Sequence, residues 1–176
     1  MIFTHNQDYA KEARIRRNQG ESGKYLHSHL GTNARMTDIS AAVGLAQFEK
    51  LGYMLQERKR VADTYNSFFE SHTRIKVMKC SYPQSRHAYF FYPILVDDRD
   101  NLALELRNKG IDTRIAYPMP VYEQEVYSKN KSSYRATPCP LAKEFTKKVL
   151  NLPIFPSLKD KQVAQIAEAV LRFVEK

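Results

Sequence analysis

No stretch of the sequence stays apolar for anything approaching the roughly 18 residues that a membrane span requires. The N-terminal segment MIFTHNQDYAKEARIRRNQG lacks a basic region followed by an apolar one, so nothing in it points to secretion. Cysteine is scarce: Cys80 and Cys139 are the only two, at no metal-type spacing, and a reduced cytoplasmic setting is expected. Six glycines lie scattered, which excludes a Gly-rich phosphate loop. His27 and His29 alternate in a polar stretch, but no group of Cys, Asp or Glu completes a ligand set, and no metal site is expected there.

What is present is a globular composition, 43% hydrophobic and 11% aromatic in 176 residues, long enough for one domain with a real core and part of another. The formal net charge of +9 invites an electrostatic partner, either nucleic acid or a phosphorylated small molecule. The basic residues are dispersed, however, and the clusters Arg14-Arg16-Arg17 and Arg58-Lys59-Arg60 fall on helical stretches, where a solvated helix face accounts for them. No helix-turn-helix, finger or RNA-binding motif accompanies the charge, so nucleic acid is not expected as a partner.

The chain is organised around residues 31–51, GTNARMTDISAAVGLAQFEKL. Thr37 is the predicted N-cap and Asp38 puts negative charge in the first turn, where the helix dipole favours it. Ile39, Ala42, Val43, Ala46, Leu51, Met54 and Leu55 recur at roughly helical spacing, and the pattern continues through Val61, Ala62, Tyr65, Phe68 and Phe69. Gly52 marks an expected weak spot or bend in this long helix. The small residues Ala41, Ala42, Gly44 and Ala46 suit close packing. Just before the cap stand Asn33 and Arg35, an amide and a guanidinium that a rigid helix start would hold in place as material for an anion site. Taken by themselves, these residues read first as an ordinary buried helix with a solvated entry loop.

Around this stretch the chain alternates helices and short strands. Met1–Thr4 is apolar strand material, and a helix over Asp8–Arg17 follows, with Asp8 as its cap. Residues 18–32 read as loop. After Ser71-His72 the pattern changes, with strands at Arg74–Cys80 and His87–Val96 joined by a turn at 82–85. Pro93 inside the second strand predicts an edge or a bulge. A helix over Asp97–Lys109 closes at Gly110, and Ile111–Ala116 returns as a strand. Tyr117–Tyr127 is a proline-stiffened loop carrying Tyr117, Tyr122 and Gln124, and its aromatic hydroxyls line a ligand pocket or its rings pack beneath the loop. The polar stretch 128–138, a helix over Pro140–Lys148, an extended Val149–Ile154 and a last helix from Ser157 or Asp160 complete the chain. The expected class is α/β to α+β with a mainly antiparallel sheet, divided into residues 1–70 and 71–176.

The organising stretch resembles the G-x-N-x-R-M-(T/D)-x-(I/L)-x-A-A-(I/V)-G-L-x-Q-(L/F)-x-K-L segment of the DegT/DnrJ/EryC1/StrS aminotransferases. HAYFFYPILV resembles that family's H-x-Y-x-x-Y-x-I strand. NKGIDTRIAYPMPVYEQEVY resembles K-x-G-I-x-T-x-x-x-Y-P-x-P-(L/I)-(H/Y)-x-Q-x-x-Y, and PCPLAKEFTKKVLNLPIFPSL resembles C-P-x-A-E-x-x-x-x-x-V-L-x-L-P-(V/I)-H-P-x-L. The resemblance covers almost the whole chain but only the back portion of the family, the end of the large domain of a fold-type I enzyme followed by the small C-terminal domain.

The resemblance implies a pyridoxal 5'-phosphate (PLP) enzyme in which an amino donor, glutamate, loads the cofactor and a keto-sugar nucleotide is then aminated. Asn33 matches an asparagine that reaches the cofactor phosphate of the neighbouring subunit, and Arg35 an arginine near the same site that meets the anionic substrate or the donor carboxylate. Tyr122 stands where many relatives have histidine in a loop facing the sugar. Phe155 replaces the histidine of L-P-x-H-P. The Schiff-base lysine, the acid facing the pyridine nitrogen and the ring-stacking side chain are all expected upstream of Met1, so no catalytic residue is assigned and the chain is not expected to transaminate alone. Expected partners are a second copy or a complementing N-terminal half, and a nucleotide sugar. A non-catalytic assembly module of the same fold, or part of a PLP-dependent sugar dehydratase, are the alternatives.

Overall fold

Asn6 starts the first helix, its Oδ1 accepting the amide hydrogens of Asp8 at 2.8 Å and Tyr9 at 3.1 Å. The computed structural model describes residues 2–79, 87–129 and 137–176. Cys80, the turn expected at 82–85 and most of the polar stretch 128–138 lie outside the described residues. The helix, α1 (Gln7–Arg17), is therefore capped by Asn6 and not by Asp8, which sits in its first turn. Residues 2–4 are irregular where strand was expected.

The described chain divides into two compact units, Met1–Lys50 and Leu51–Lys176. In the first, α1 leads into a short antiparallel hairpin of β1 (Glu21–Gly23) and β2 (Leu26–His27), inside the stretch read as loop. Helix α2 (Asp38–Phe48) follows, with Thr37 as its cap: Thr37 Oγ1 accepts the Ser40 amide at 3.2 Å. Gly20 is the only buried residue among those described in this unit, and neither of its helices buries a side chain. Backbone and polar hydrogen bonds hold it together in place of an apolar core.

The expected single long helix is two. The first ends in a tightened turn, with the Lys50 amide bonded to Gln47 O at 3.1 Å, and α3 (Leu51–Phe69) starts at the next residue. Gly52 falls in the first turn of α3, where its helix-weakening effect is least felt, and not at a mid-helix bend.

The second unit has the core. A three-stranded antiparallel sheet runs in the order β3 (Lys76–Val77), β4 (Tyr92–Leu95), β5 (Val149–Leu152). Packed with it are α3, α4 (Arg99–Asn108) and α7 (Asp160–Val174), while α5 (Glu125–Ser128) and α6 (Pro140–Lys148) carry the intervening chain. Phe69, Ile94, Leu102, Leu106, Leu150, Val163 and Val170 are fully buried, each burial stabilising by about 1.5–3 kcal/mol. The Tyr65 ring stacks on Tyr92 at 4.8 Å between centroids, and their hydroxyls donate to Pro153 O and Asn66 Oδ1. Gly110, at φ +76°, ends α4 as expected.

Pro93 lies in the central strand, neither at an edge nor at a bulge. The Val96 amide bonds to Lys148 O, so alternation along the strand turns Tyr92 and Ile94 toward β5 and Pro93 toward β3. Pairing with β3 covers only Ile94 and Leu95, so the missing N–H falls just past the end of that ladder. Residues 111–116 contribute a single bridge, Arg114 to Asn151, on the far side of β5. Helix α3 packs with α7 inside the second unit.

Candidate functional site

The turn carrying Asn33 and Arg35 is fixed by a close approach of two glycines. A Cβ on Gly31 would stand 2.1 Å from Gly20 N and 2.6 Å from Arg16 O, and one on Gly20, at φ +75°, would stand 1.7 Å from His29 O. Only hydrogen fits at either position. The approach lets the chain run alongside the end of α1: the amides of Thr32 and Ala34 donate to Arg16 O and Arg17 O, both at 2.9 Å, and the Gln19 amide donates to Thr32 O at 3.0 Å. Asn33 forms a bridge with Asn18.

Asn33 and Arg35 are thereby brought side by side, both exposed, with Arg35 Nε donating to Asn33 Oδ1 at 3.4 Å. That bond leaves the Asn33 amide hydrogens and the terminal guanidinium nitrogens of Arg35 without acceptors among the described residues. Arg14, Arg16 and Arg17 lie in the last turn of α1, whose end the turn's backbone meets at Arg16 O and Arg17 O. Glu12 offsets part of this charge, bonding Arg16 Nε at 2.8 Å and His29 Nε2 at 2.9 Å. The hydrogen bond from Arg16, with help from His29, holds the Glu12 carboxyl below the usual range. Chemically, the turn is a small exposed cluster of donors suited to an anion.

Tyr122 belongs to the second unit, in a short 3-10 turn, Val121–Glu123. Its hydroxyl is occupied twice by one residue, donating to Cys139 O and accepting from Cys139 N, both at 3.3 Å. Glu123 adds an ion pair to Lys143 Nζ at 2.7 Å, which raises the lysine pKa. These bonds fasten the proline-stiffened loop to α6, which Cys139 precedes. Tyr117 is exposed and lines an apolar groove of about 380 Å³ with Phe91, Met119, Pro120 and Phe145. A larger groove of about 1030 Å³ is lined by Phe155, Arg114, Gln162 and Arg172 among others, so Phe155 is a groove wall and not a packed core residue.

The remaining candidates have internal partners. His27 Nδ1 meets Gln19 O at 3.1 Å and His29 Nδ1 meets Ser28 Oγ at 2.7 Å. No group of three metal-ligating side chains occurs among the described residues. The cluster Arg58-Lys59-Arg60 is not simply a solvated face. Arg58 donates to Tyr89 O and Ile154 O, and Arg60 to Leu158 O and Asp160, so two of the three clamp α3 to the segment before α7. Arg99, which spacing did not single out, is buried and donates through Nη1 to Thr146 O at 3.0 Å and Val149 O at 3.1 Å.

The DegT/DnrJ/EryC1/StrS aminotransferase family model matches residues 1–171. The chain is 31% identical over 174 residues to a pleiotropic regulatory protein of Geobacillus stearothermophilus, covering 98% of this chain and 46% of that one. It is 29% identical over 173 residues to the UDP-N-acetyl-3-dehydro-alpha-D-glucosamine 3-aminotransferase of Acidithiobacillus ferrooxidans, covering 98% and 45%. The X-ray crystal structure of S. venezuelae DesV matches with a TM-score of 0.88 at 29% identity, over 98% of this chain and 46% of that one. The chain thus spans about half the length of the curated relatives it matches, corresponding to their C-terminal portion.

Proposed function

The chain belongs to the DegT/DnrJ/EryC1/StrS aminotransferase family, and on that premise we propose that it forms the C-terminal part of a PLP-dependent aminotransferase. The reaction is transfer of an amino group from an amino acid, glutamate, to a keto-sugar nucleotide, in polysaccharide or deoxyaminosugar biosynthesis. The observation that carries this reading is the paired donors on the pinned turn. Amide hydrogens on Asn33 and terminal guanidinium nitrogens on Arg35 that have no acceptors among the described residues suit a phosphate and a carboxylate, so the residues present fit PLP and an anionic ligand.

In this reading Asn33 donates to the cofactor phosphate and Arg35 holds the donor carboxylate or the anionic part of the substrate, both across a subunit interface. Tyr122 presents its ring to the sugar, since its hydroxyl is engaged with Cys139. The bound cofactor supplies the carbonyl carbon through which the amino group is taken up and passed on. Residues 1–70 represent the end of the large domain and 71–176 the small domain. Helix α2 exposes Ile39, Val43, Leu45 and Phe48 and buries none of its side chains, an apolar surface that calls for a cover. A second copy or a complementing N-terminal half supplies it. No helix among the described residues is long and apolar enough to cross a membrane, and a cytoplasmic setting is part of the proposal.

The test is a PLP titration of the chain with and without the upstream half of a relative, followed by visible absorbance and borohydride trapping. A reducible adduct on the added half, weakened by Asn33→Ala, is expected. Trapping on a lysine of this chain alone, or an adduct indifferent to Asn33→Ala, overturns the assignment.

A further inference from the structure

Glu12 uses both carboxylate oxygens on groups that flank the Asn33–Arg35 turn. Oε2 accepts from Arg16 Nε at 2.8 Å, and Oε1 meets His29 Nε2 at 2.9 Å. Arg16 in turn reaches Leu30 O through Nη1 at 3.5 Å, while its own carbonyl accepts the Thr32 amide. His29 donates its amide to Gly20 O at 3.3 Å, and its carbonyl occupies the space where a Cβ on Gly20 would stand. One carboxylate therefore ties α1 to the chain just ahead of Gly31, directly at His29 and through Arg16 at Leu30, in a unit with no apolar core among its described residues to do so.

We infer that Glu12 is a positioning residue for the proposed anion site, acting through Arg16 and His29 to hold the turn that presents Asn33 and Arg35. The inference rests on the reading of Asn33 as a phosphate anchor. The other charged or titratable groups nearby are engaged elsewhere or point no bond at Glu12. Glu21 accepts from Asn18 and from the Tyr25 amide, His27 bonds Gln19 O, and Arg14 and Arg17 make no bond to it. Both partners of Glu12 are partly solvent-exposed, which sets the expected effect at the modest size of exposed ion pairs.

The experiment measures amide hydrogen exchange of the full chain and, with the upstream half of a relative added, its PLP affinity. In Glu12→Ala, exchange at Thr32 and Ala34 should rise roughly twofold to fivefold with a matching loss of affinity, while amides of β5 and α7 stay as protected as before. Glu12→Asp, which keeps the charge, should recover most of both effects. His29→Gln should reproduce part of the loss and add little to Glu12→Ala. Unchanged exchange at Thr32 and Ala34, or a rise spread evenly over both units, overturns the inference. The two readings fail separately. If Asn33→Ala leaves PLP affinity intact while Glu12→Ala still loosens the turn, the anchor assignment is wrong and the ion-pair device stands without a cofactor role. If Asn33→Ala weakens binding and Glu12→Ala changes nothing, Glu12 has no positioning role.

Discussion

Gly31 and Gly20 approach so closely that a side chain on Gly31 would place its Cβ 2.1 Å from the Gly20 nitrogen. The contact is backbone against backbone, so no rotamer change relieves it. The backbone bonds that pin the Asn33–Arg35 turn depend on it, because the amides of Thr32 and Ala34 reach the end of α1 only at this separation.

Gly31→Ala should therefore cost more than an ordinary surface substitution. The two chains must move apart, breaking the bonds from Thr32 and Gln19, for a loss of about 2 kcal/mol or more in the first unit. Thr32 and Ala34 should lose their exchange protection while Leu150 and Val163, in the core of the second unit, keep theirs. Gly44→Ala is the control: nothing lies within 4 Å of its added carbon, and it should be neutral or slightly stabilising.

Thr37, Asp38 and the apolar spacing after them were enough to place the start of α2, since a cap is a local signal. The adjacency of Asn33 and Arg35 was legible for the same reason, since both stand just ahead of that cap. The glycine approach was not legible, because its partners are distant in sequence and Gly20 looks like any residue after a helix. Arg58, Arg60 and Arg99 were hidden likewise: an arginine on a helix reads as solvated until its carbonyl partners are known. Pro93 misled because the rule about edges concerns the missing N–H. A central strand tolerates proline wherever one neighbour has already ended.

Arg99 supports the second unit from inside. Its Nη1 satisfies Thr146 O and Val149 O where α6 gives way to β5, and the side chain is almost wholly buried. Arg99→Met keeps most of the volume but leaves both carbonyls short of a donor, and should destabilise by about 2–3 kcal/mol in urea unfolding. Arg107→Met, on the same helix, has no buried bond to lose and should change the midpoint little.

Tyr65 and Tyr92 make stability depend on alkaline pH. Burial disfavours the phenolate at both positions and raises both pKa values. A raised folded-state value means that the stabilisation is complete below the unfolded tyrosine value of about 10 and is lost as pH rises above it toward the folded value. The urea midpoint should thus fall between about pH 10 and pH 11.5, and Tyr65→Phe should flatten that fall while lowering the midpoint at neutral pH through loss of the bond to Pro153 O.

The Tyr122 hydroxyl offers a sharper test of its loop, because both its donor and its acceptor capacities are directed at Cys139. If the substrate meets the ring, then Tyr122→Phe and Tyr122→Ala must behave differently in the assembled enzyme. The phenylalanine variant keeps the ring and loses two long hydrogen bonds, so nucleotide-sugar affinity should change by less than about threefold while the Cys139 amide exchanges faster. The alanine variant loses the ring as well and should weaken affinity by about tenfold. Equal, large losses in both variants would mean that the hydroxyl leaves Cys139 to bond the substrate, and faster Cys139 exchange with no affinity change in either would reduce Tyr122 to a fastener between the loop and α6.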